Sequence, residues 1–310
     1  MTGGRAGGAG GDRERDWEHL VHNLRTGHCT PFLGAGACAD HIPLGGALAH
    51  EWAVECGYPF EDTTDLTRVM QYVAVRRFHG DLTTLKQAVV DRVFRPIAPP
   101  NSPPPPSIHT LLAKCDLPIY VTTNYDDLLM LALSGQGKRP RIGISPWYPG
   151  AEDVLEQPLD PQSGYRPSPQ EPLVFHMHGH WRHPESLVLA EDDYIEYLIG
   201  LGGESRVANG RRMVPPPVYT ALRSKPVLFI GYSLRDWTFQ VLFRTLMRDI
   251  AETHRRWHVS VQLEPPVPGA SESAKSYLEE YFRLRHITVF WESTDSFTRE
   301  LARRMWGDDA

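Results

Sequence analysis

The chain has 310 residues, of which 41% are hydrophobic and 23% charged, with a formal net charge of −6. That balance is ordinary for a globular protein and long enough to bury a core without disulfides or a structural metal. The arginine pairs (Arg76/Arg77, Arg211/Arg212, Arg255/Arg256) are scattered and form no basic block, so direct nucleic-acid binding is not expected.

No run of about eighteen apolar residues occurs, which excludes a hydrophobic membrane helix. The four cysteines, Cys29, Cys38, Cys56 and Cys115, form no C-x-x-C pair, so neither a zinc ribbon nor a secreted disulfide framework is expected. The N-terminal stretch MTGGRAGGAGGDRERD lacks the apolar segment of a signal peptide, which points to a cytoplasmic setting. Residues 1–12 are Gly-rich and expected to be a disordered tail.

The spacing of Trp17, Leu20, Val21 and Leu24 predicts a helix over about Asp12–Arg25. Thr30–Leu33 reads as a short buried strand that runs into Gly34-Ala35-Gly36. A helix follows over Leu44–Cys56, ended by Gly57. Two more are lined by Leu66, Val69, Met70 and Val73, and by Leu82, Leu85, Val89 and Val93. The proline-rich connector Pro96–Pro106 closes this strandless stretch, which reads as a helical insertion over about 44–106 within a domain of 13–310.

Pro118–Thr122 is the second strand, delivering Thr123-Asn124-Tyr125-Asp126 to the start of a leucine-rich helix. Residues 135–172 read as loops around an outer strand. Leu173–His178 is a further buried strand, and Ser186–Leu189 is expected to form another before a helix over Asp192–Leu201. The apolar strand Pro226–Ile230 ends in Gly231-Tyr232-Ser233, with a helix to Ile250. Strands at His258–Leu263 and Ile287–Trp291 alternate with helices at Ser273–Leu284 and Ser296–Trp306. Alternating strands and helices imply an α/β fold with a doubly wound, mostly parallel, Rossmann-like sheet. No strand ending in an acidic residue lies between the first two, since Glu51 and Glu55 fall in a helical pattern. A hydride-transferring dehydrogenase is therefore disfavoured.

Four segments carry candidate chemistry. PFLGAG places a glycine pair between strand and helix, where backbone N–H groups could approach a pyrophosphate or where two elements simply pack tightly. YVTTNYDDLL presents Asn124 and Asp126 at a strand tip, as ribose or water ligands or as helix N-caps. In LVFHMHGHW the residues His176, His178 and His180 alternate, so on a strand they would share one face. They could ligate metal, supply a general base near Gly179, or pack against Trp181. In VLFIGYSLRDWTF, Ser233-x-x-Asp236 matches a capping box, and Gly231 and Ser233 could also contact a nucleotide.

In this order, FLGAG, TTNYD, the His178-Gly179 pair and GYSLRDW resemble the sirtuin superfamily, specifically its bacterial sirtuin-like branch; LVLAEDDYIEYL is similar to that branch as well. The resemblance runs from about Pro31 to Trp291. It implies that Gly34, Ala35 and Gly36 hold the phosphates of NAD+ and that Thr123 lines the same site. By the same resemblance Asn124 positions the nicotinamide ribose and an attacking water. Asp126 matches the aspartate of the same motif, and His178 matches the catalytic histidine of the family. Gly231 and Ser233 would contact the adenosine-side ribose and phosphate, while His176 receives no role.

Departures from the protein-deacetylating sirtuins bear on activity. Those enzymes shape an acyl-lysine groove with a small lobe carrying two C-x-x-C zinc pairs, and here helices and a proline run stand in its place. Their Pro-Asp-Phe-Arg segment is also absent, Ile42-Pro43 continuing as Leu44-Gly45-Gly46. The resemblance thus implies NAD+ as substrate, no zinc, and hydrolysis to nicotinamide and ADP-ribose in a regulated antiphage effector. It further implies a homo-oligomer and a sensor or activating protein or domain outside these residues. Protein deacylation, ADP-ribosyl transfer and non-catalytic NAD or ADP-ribose binding are the alternatives.

Overall fold

The computed structural model describes residues 8–97, 107–151, 163–202, 211–232, 257–262 and 271–307, with short pieces at 155, 158–159, 206–207, 240–241 and 243–245. Chain order begins with α1 (Gly8–Arg25), β1 (Thr30–Leu33), α2 (Gly45–Cys56), α3 (Leu66–Phe78) and α4 (Leu82–Val89). It continues with α5 (Ile108–Ala113), β2 (Ile119–Thr122), α6 (Leu128–Gly135), β3 (Arg141–Ile144), β4 (Leu173–His176) and α7 (Glu191–Gly202). After the short antiparallel pair β5 (Arg206–Val207) and β6 (Arg211–Arg212) come α8 (Pro216–Ser224), β7 (Val227–Ile230), β8 (His258–Gln262), α9 (Ser271–Arg283), β9 (Ile287–Trp291) and α10 (Thr294–Trp306).

Seven strands form one sheet in the order β3-β4-β2-β1-β7-β8-β9, and every pair in it is parallel. Parallel strands buried on both faces are largely apolar, and Thr30–Leu33, Leu173–His176 and Val227–Ile230 are buried at every position. Helices cover both faces. One core joins Trp17, Leu24, Leu112, Leu133, Phe297 and Leu301 to the sheet, and the other joins Tyr197, Val218, Leu222 and Phe282 to Phe32, Phe175 and Phe229. The doubly wound α/β arrangement expected from the sequence is the observed one.

From β1 the chain builds outward on one side through β2 and β4, then returns beside β1 as β7 and builds outward on the other. The strand order therefore reverses between β1 and β7. Ligands of open α/β sheets bind outside the strand carboxyl ends at such a reversal. Those ends are Leu33, Thr122 and Ile230, held level by the pairs Leu33↔Thr122 and Leu33↔Ile230.

The helices of the 44–106 stretch start and stop where local chemistry requires. The Asp65 carboxylate accepts the N–H groups of Thr67 and Arg68, and Asp81 does the same for Thr83 and Thr84. Gly57 ends α2 in the left-handed region at φ 64°. Trp52, Val69, Met70, Val73, Leu85 and Val89 form their own core, which also takes Leu187, Leu189 and Ala190 from the segment after the histidines. A buried ion pair fastens the two: Lys86 Nζ donates to Asp193 Oδ1 at 2.7 Å. Asp193 Oδ2 accepts the N–H groups of Leu189 and Ala190.

Two expectations are corrected. Ser186–Leu189 is not a strand. Pro184–Ser186 is a 3-10 turn, and the N–H groups beyond it go to His178 O and the Asp193 carboxylate rather than to a sheet edge. Strand β4 also ends at His176, not His178, so the histidines do not alternate on one strand face. The reason is Gly179, whose φ of 92° breaks the extended backbone. Elsewhere α1 begins at Gly8, ahead of the expected Asp12. Residues 1–7, most of 96–106 and the 233–239 segment lie outside the described residues. Among the described residues no helix is long and apolar enough to cross a membrane.

Candidate active site

The glycine turn after β1 packs directly on the turn after β7. Gly34 N–H donates to Ile230 O, and Gly36 N–H to Gly231 O at 3.0 Å. A Cβ on Gly34 would lie 2.8 Å from Gly231 O and 2.9 Å from the Tyr232 ring, and one on Gly36 would lie 2.8 Å from Gly231 Cα. Gly231, at φ 80°, would drive a Cβ into Ala37 N. These glycines are thus required first by the contact between two strand ends. Ala37 and Cys38 donate back to Gly34 O and Ala35 O, which leaves Ala35 N–H as the turn amide with no backbone acceptor among the described residues. A ligand phosphate therefore meets fewer free N–H groups here than the glycine pattern suggests.

At the tip of β2, Thr123 Oγ1 and the Tyr232 hydroxyl are 2.7 Å apart, and Tyr232 also donates to Leu33 O at 2.9 Å. Asn124 is half-buried; its Nδ2 donates to Gly34 O at 3.0 Å and to Cys38 Sγ at 2.9 Å. Asp126 accepts the Cys38 thiol on Oδ2 at 3.2 Å and Leu128 N–H on Oδ1 at 2.9 Å. Both Asp126 oxygens are thereby engaged in holding the loop and the start of α6. Burial pushes the Cys38 thiol well above the usual range, and the neighbouring Asp126 adds to the effect. His109 Nε2 lies 3.7 Å from the same sulfur, and burial pulls that imidazole below its ordinary value.

The histidine segment is stitched to the Asn124 loop. His176 Nδ1 donates to Asn124 O at 2.8 Å, leaving its buried Nε2 without a partner among the described residues. His180 Nε2 donates to Asp127 Oδ1 at 2.9 Å, and Asp127 Oδ2 accepts from Trp181 Nε1 and Arg182 at 2.8 Å each. Burial pushes Asp127 up, but these hydrogen bonds and the Arg182 charge outweigh it and hold the carboxyl well below the usual range. The His176 and His180 rings are 4.7 Å apart, while His178 packs edge-on against Tyr194 and Tyr197 at 5.3 and 4.9 Å. The three histidines therefore do not converge. Among the described residues no group of three or more His, Cys, Asp or Glu is placed to hold a metal ion.

By register His178 lies two residues past His176 and Asn124 two past its partner Thr122, so both emerge from neighbouring strand ends. The fold thus gathers Gly34, Ala35, Gly36, Thr123, Asn124, Asp126, His178 and Gly231 along one edge of the sheet; Ser233 lies outside the described residues. Sequence reading gave no site role to Cys38, His109, Tyr194 or Tyr197, and named Tyr232 only within a motif. Cys38 sits two residues beyond the glycine pair, the single local signal that could have raised it.

Two predictions arise here. Gly179→Ala combines a left-handed backbone with a Cβ driven into the Ser186 carbonyl, and is expected to cost about 3 kcal/mol or more in chemical denaturation. Acid stability is the second. Burial holds His176 and His178 at about 3 and His258 at about 4, whereas each titrates near 6.5 once unfolded. The unfolded state then binds more protons between those values, so the contribution is complete above about pH 6.5 and lost as pH falls toward 4 and 3. Thermal midpoints should decline steadily from pH 7 to pH 4; a flat profile contradicts the burial of these rings.

A family model described as a SIR2-like domain matches residues 118–287. An NAD(+) hydrolase ThsA of Acinetobacter baumannii is 26% identical over 306 residues, covering 93% of this chain and 55% of that protein. The NAD(+) hydrolase ThsA of Bacillus cereus is 24% identical over 247 residues, covering 79% and 45% respectively. The chain spans about half the length of the curated relatives it matches. Among solved structures, a mutant Sir2 homologue in complex with 2'-O-acetyl ADP ribose is similar at a TM-score of 0.40 and 13% identity, covering 93% of this chain and 96% of that one.

Proposed function

This chain belongs to the SIR2-like domain family, and on that premise we propose that it hydrolyses NAD+ to nicotinamide and ADP-ribose. The observation that supports the reading is that Asn124 meets the Gly34–Gly231 turn pair at the strand ends beside the reversal, with His178 just past the end of the neighbouring β4. The relatives' names support NAD+ as the substrate. The absence of any C-x-x-C pair, with helices α2–α4 where a zinc lobe would stand, supports hydrolysis over deacylation.

In this reading the pyrophosphate lies on the Gly34–Gly36 turn, approached by Ala35 N–H, with Gly231 and Ser233 toward the adenosine side. The nicotinamide ribose lies between Asn124 and His178. The C1′–N bond breaks and nicotinamide leaves neutral with the bonding electron pair. Water then adds to C1′ of the oxocarbenium-like ribosyl centre. Asn124 Oδ1 accepts one hydrogen of that water and orients it. The proton released on addition passes to solvent, while His178, kept neutral by burial, accepts a hydrogen bond from the ribose. Asp126 holds the Asn124 loop through Cys38 and Leu128 N–H.

We place the enzyme in the cytoplasm as a regulated antiphage effector, self-associating and restrained until a sensor or activating partner acts. The reading is tested by product analysis with NAD+ as sole substrate. Equimolar nicotinamide and linear ADP-ribose support it; turnover that needs a protein acceptor, or binding without cleavage, overturns it.

A further inference from the structure

We propose that Cys38 is the positioning residue that fixes the side-chain amide of Asn124, an inference that rests on the hydrolase reading above. The donor and acceptor logic of three contacts carries it. Gly34 O can only accept, so the Asn124 atom 3.0 Å from it is Nδ2. The thiol hydrogen of Cys38 is committed to Asp126 Oδ2, so the sulfur meets Nδ2 as an acceptor at 2.9 Å. Both amide hydrogens are thereby engaged on the protein side. Oδ1 receives no hydrogen bond among the described residues, and remains the amide atom that can accept from a water or a ribose hydroxyl.

Rotating the amide by half a turn would set Oδ1 against the Gly34 carbonyl and the sulfur lone pairs. Both contacts would then be repulsive, so a single orientation survives. The sulfur is itself held: Cys38 is 3% exposed, His109 closes its far side, and its raised pKa keeps it a thiol. A thiolate would lose the Asp126 contact and repel that carboxylate. Cys38 never reaches substrate in this account and acts through Asn124 alone.

The test uses the full chain and three variants. Cys38→Ala removes both contacts and is expected to lower kcat about 10–100-fold with KM for NAD+ within about threefold, the pattern of a misplaced reacting group. Cys38→Ser keeps a donor and an acceptor on a shorter arm and should restore most of that loss. A merely structural role would instead lower the thermal midpoint and raise KM, or leave Ser no better than Ala; either result overturns the proposal.

A readout independent of turnover keeps it separate from the hydrolase reading. The Asn124 side-chain amide pair, assigned in ¹⁵N-labelled protein by its loss in Asn124→Ala, should exchange slowly in the wild type and faster in Cys38→Ala. Unchanged exchange overturns the positioning role even if NAD+ is cleaved. Wild-type protein that shows the exchange difference but never releases nicotinamide overturns the hydrolase reading and leaves the amide orientation standing.

Discussion

His178→Ala is expected to lower nicotinamide release by about 10²–10³-fold, the usual worth of one preorganised polar group at a reacting centre. Because the ring is buried against Tyr194 and Tyr197, alanine also leaves a cavity, and part of any loss could come from unfolding. His178→Phe separates the two effects. It refills the space without a ring nitrogen, so it should be as inactive as alanine while unfolding at close to the wild-type midpoint. Burial, which holds the wild-type imidazole neutral down to about pH 3, adds a second signature. The pH–rate profile should show no protonation step near 6.5 from this residue. A phenylalanine variant within tenfold of wild type would remove His178 from the chemistry.

Lys86→Met carries the largest expected stability effect. Lys86 and Asp193 are 6% and 3% exposed at their side chains, and the Lys86 ammonium also lies 5.0 Å from the Trp147 ring centroid. Removing one partner of a buried pair strands the other charge, at a cost of about 3–5 kcal/mol. Here the stranded group is the carboxylate that accepts Leu189 and Ala190 N–H groups, so the segment behind His178 loosens with it. In the double variant Lys86→Met/Asp193→Asn the amide oxygen can still accept those N–H groups, but no charge is buried. Urea denaturation should show most of the loss recovered in that variant. A single-variant cost below about 1 kcal/mol would mean the pair is solvated and the insertion is not fastened through it.

The sheet was legible because its strands are short apolar runs that end abruptly in glycine or polar residues. Leu33 to Gly34, Thr122 to Asn124 and Ile230 to Gly231 each mark a strand end and a candidate site residue at once. The histidine segment misled because alternation is a strand signal only while the backbone stays extended, and Gly179 at φ 92° ends that. Ser186–Leu189 misled because Leu187 and Leu189 are buried against α2–α4, a core whose existence the local pattern does not reveal. Cys38 and His109 meet only because α5 packs beside the glycine turn, a contact between positions 71 residues apart. Tyr232 was named within a motif, yet its role against Thr123 and Gly34 follows from the two strand ends lying side by side. The glycines themselves were ambiguous by sequence, and packing accounts for more of them than phosphate contact does.

The central claim is that Asn124 and its neighbours cleave the nicotinamide–ribose bond. The most direct measurement is the initial rate of nicotinamide release from NAD+ by wild type and Asn124→Ala, matched for folding and run across a protein-concentration series. The account predicts turnover in the wild type, and a loss of about 10²–10³-fold in the variant, the cost of removing one preorganised polar group from a reacting site. Equal rates in the two proteins across the series would contradict it.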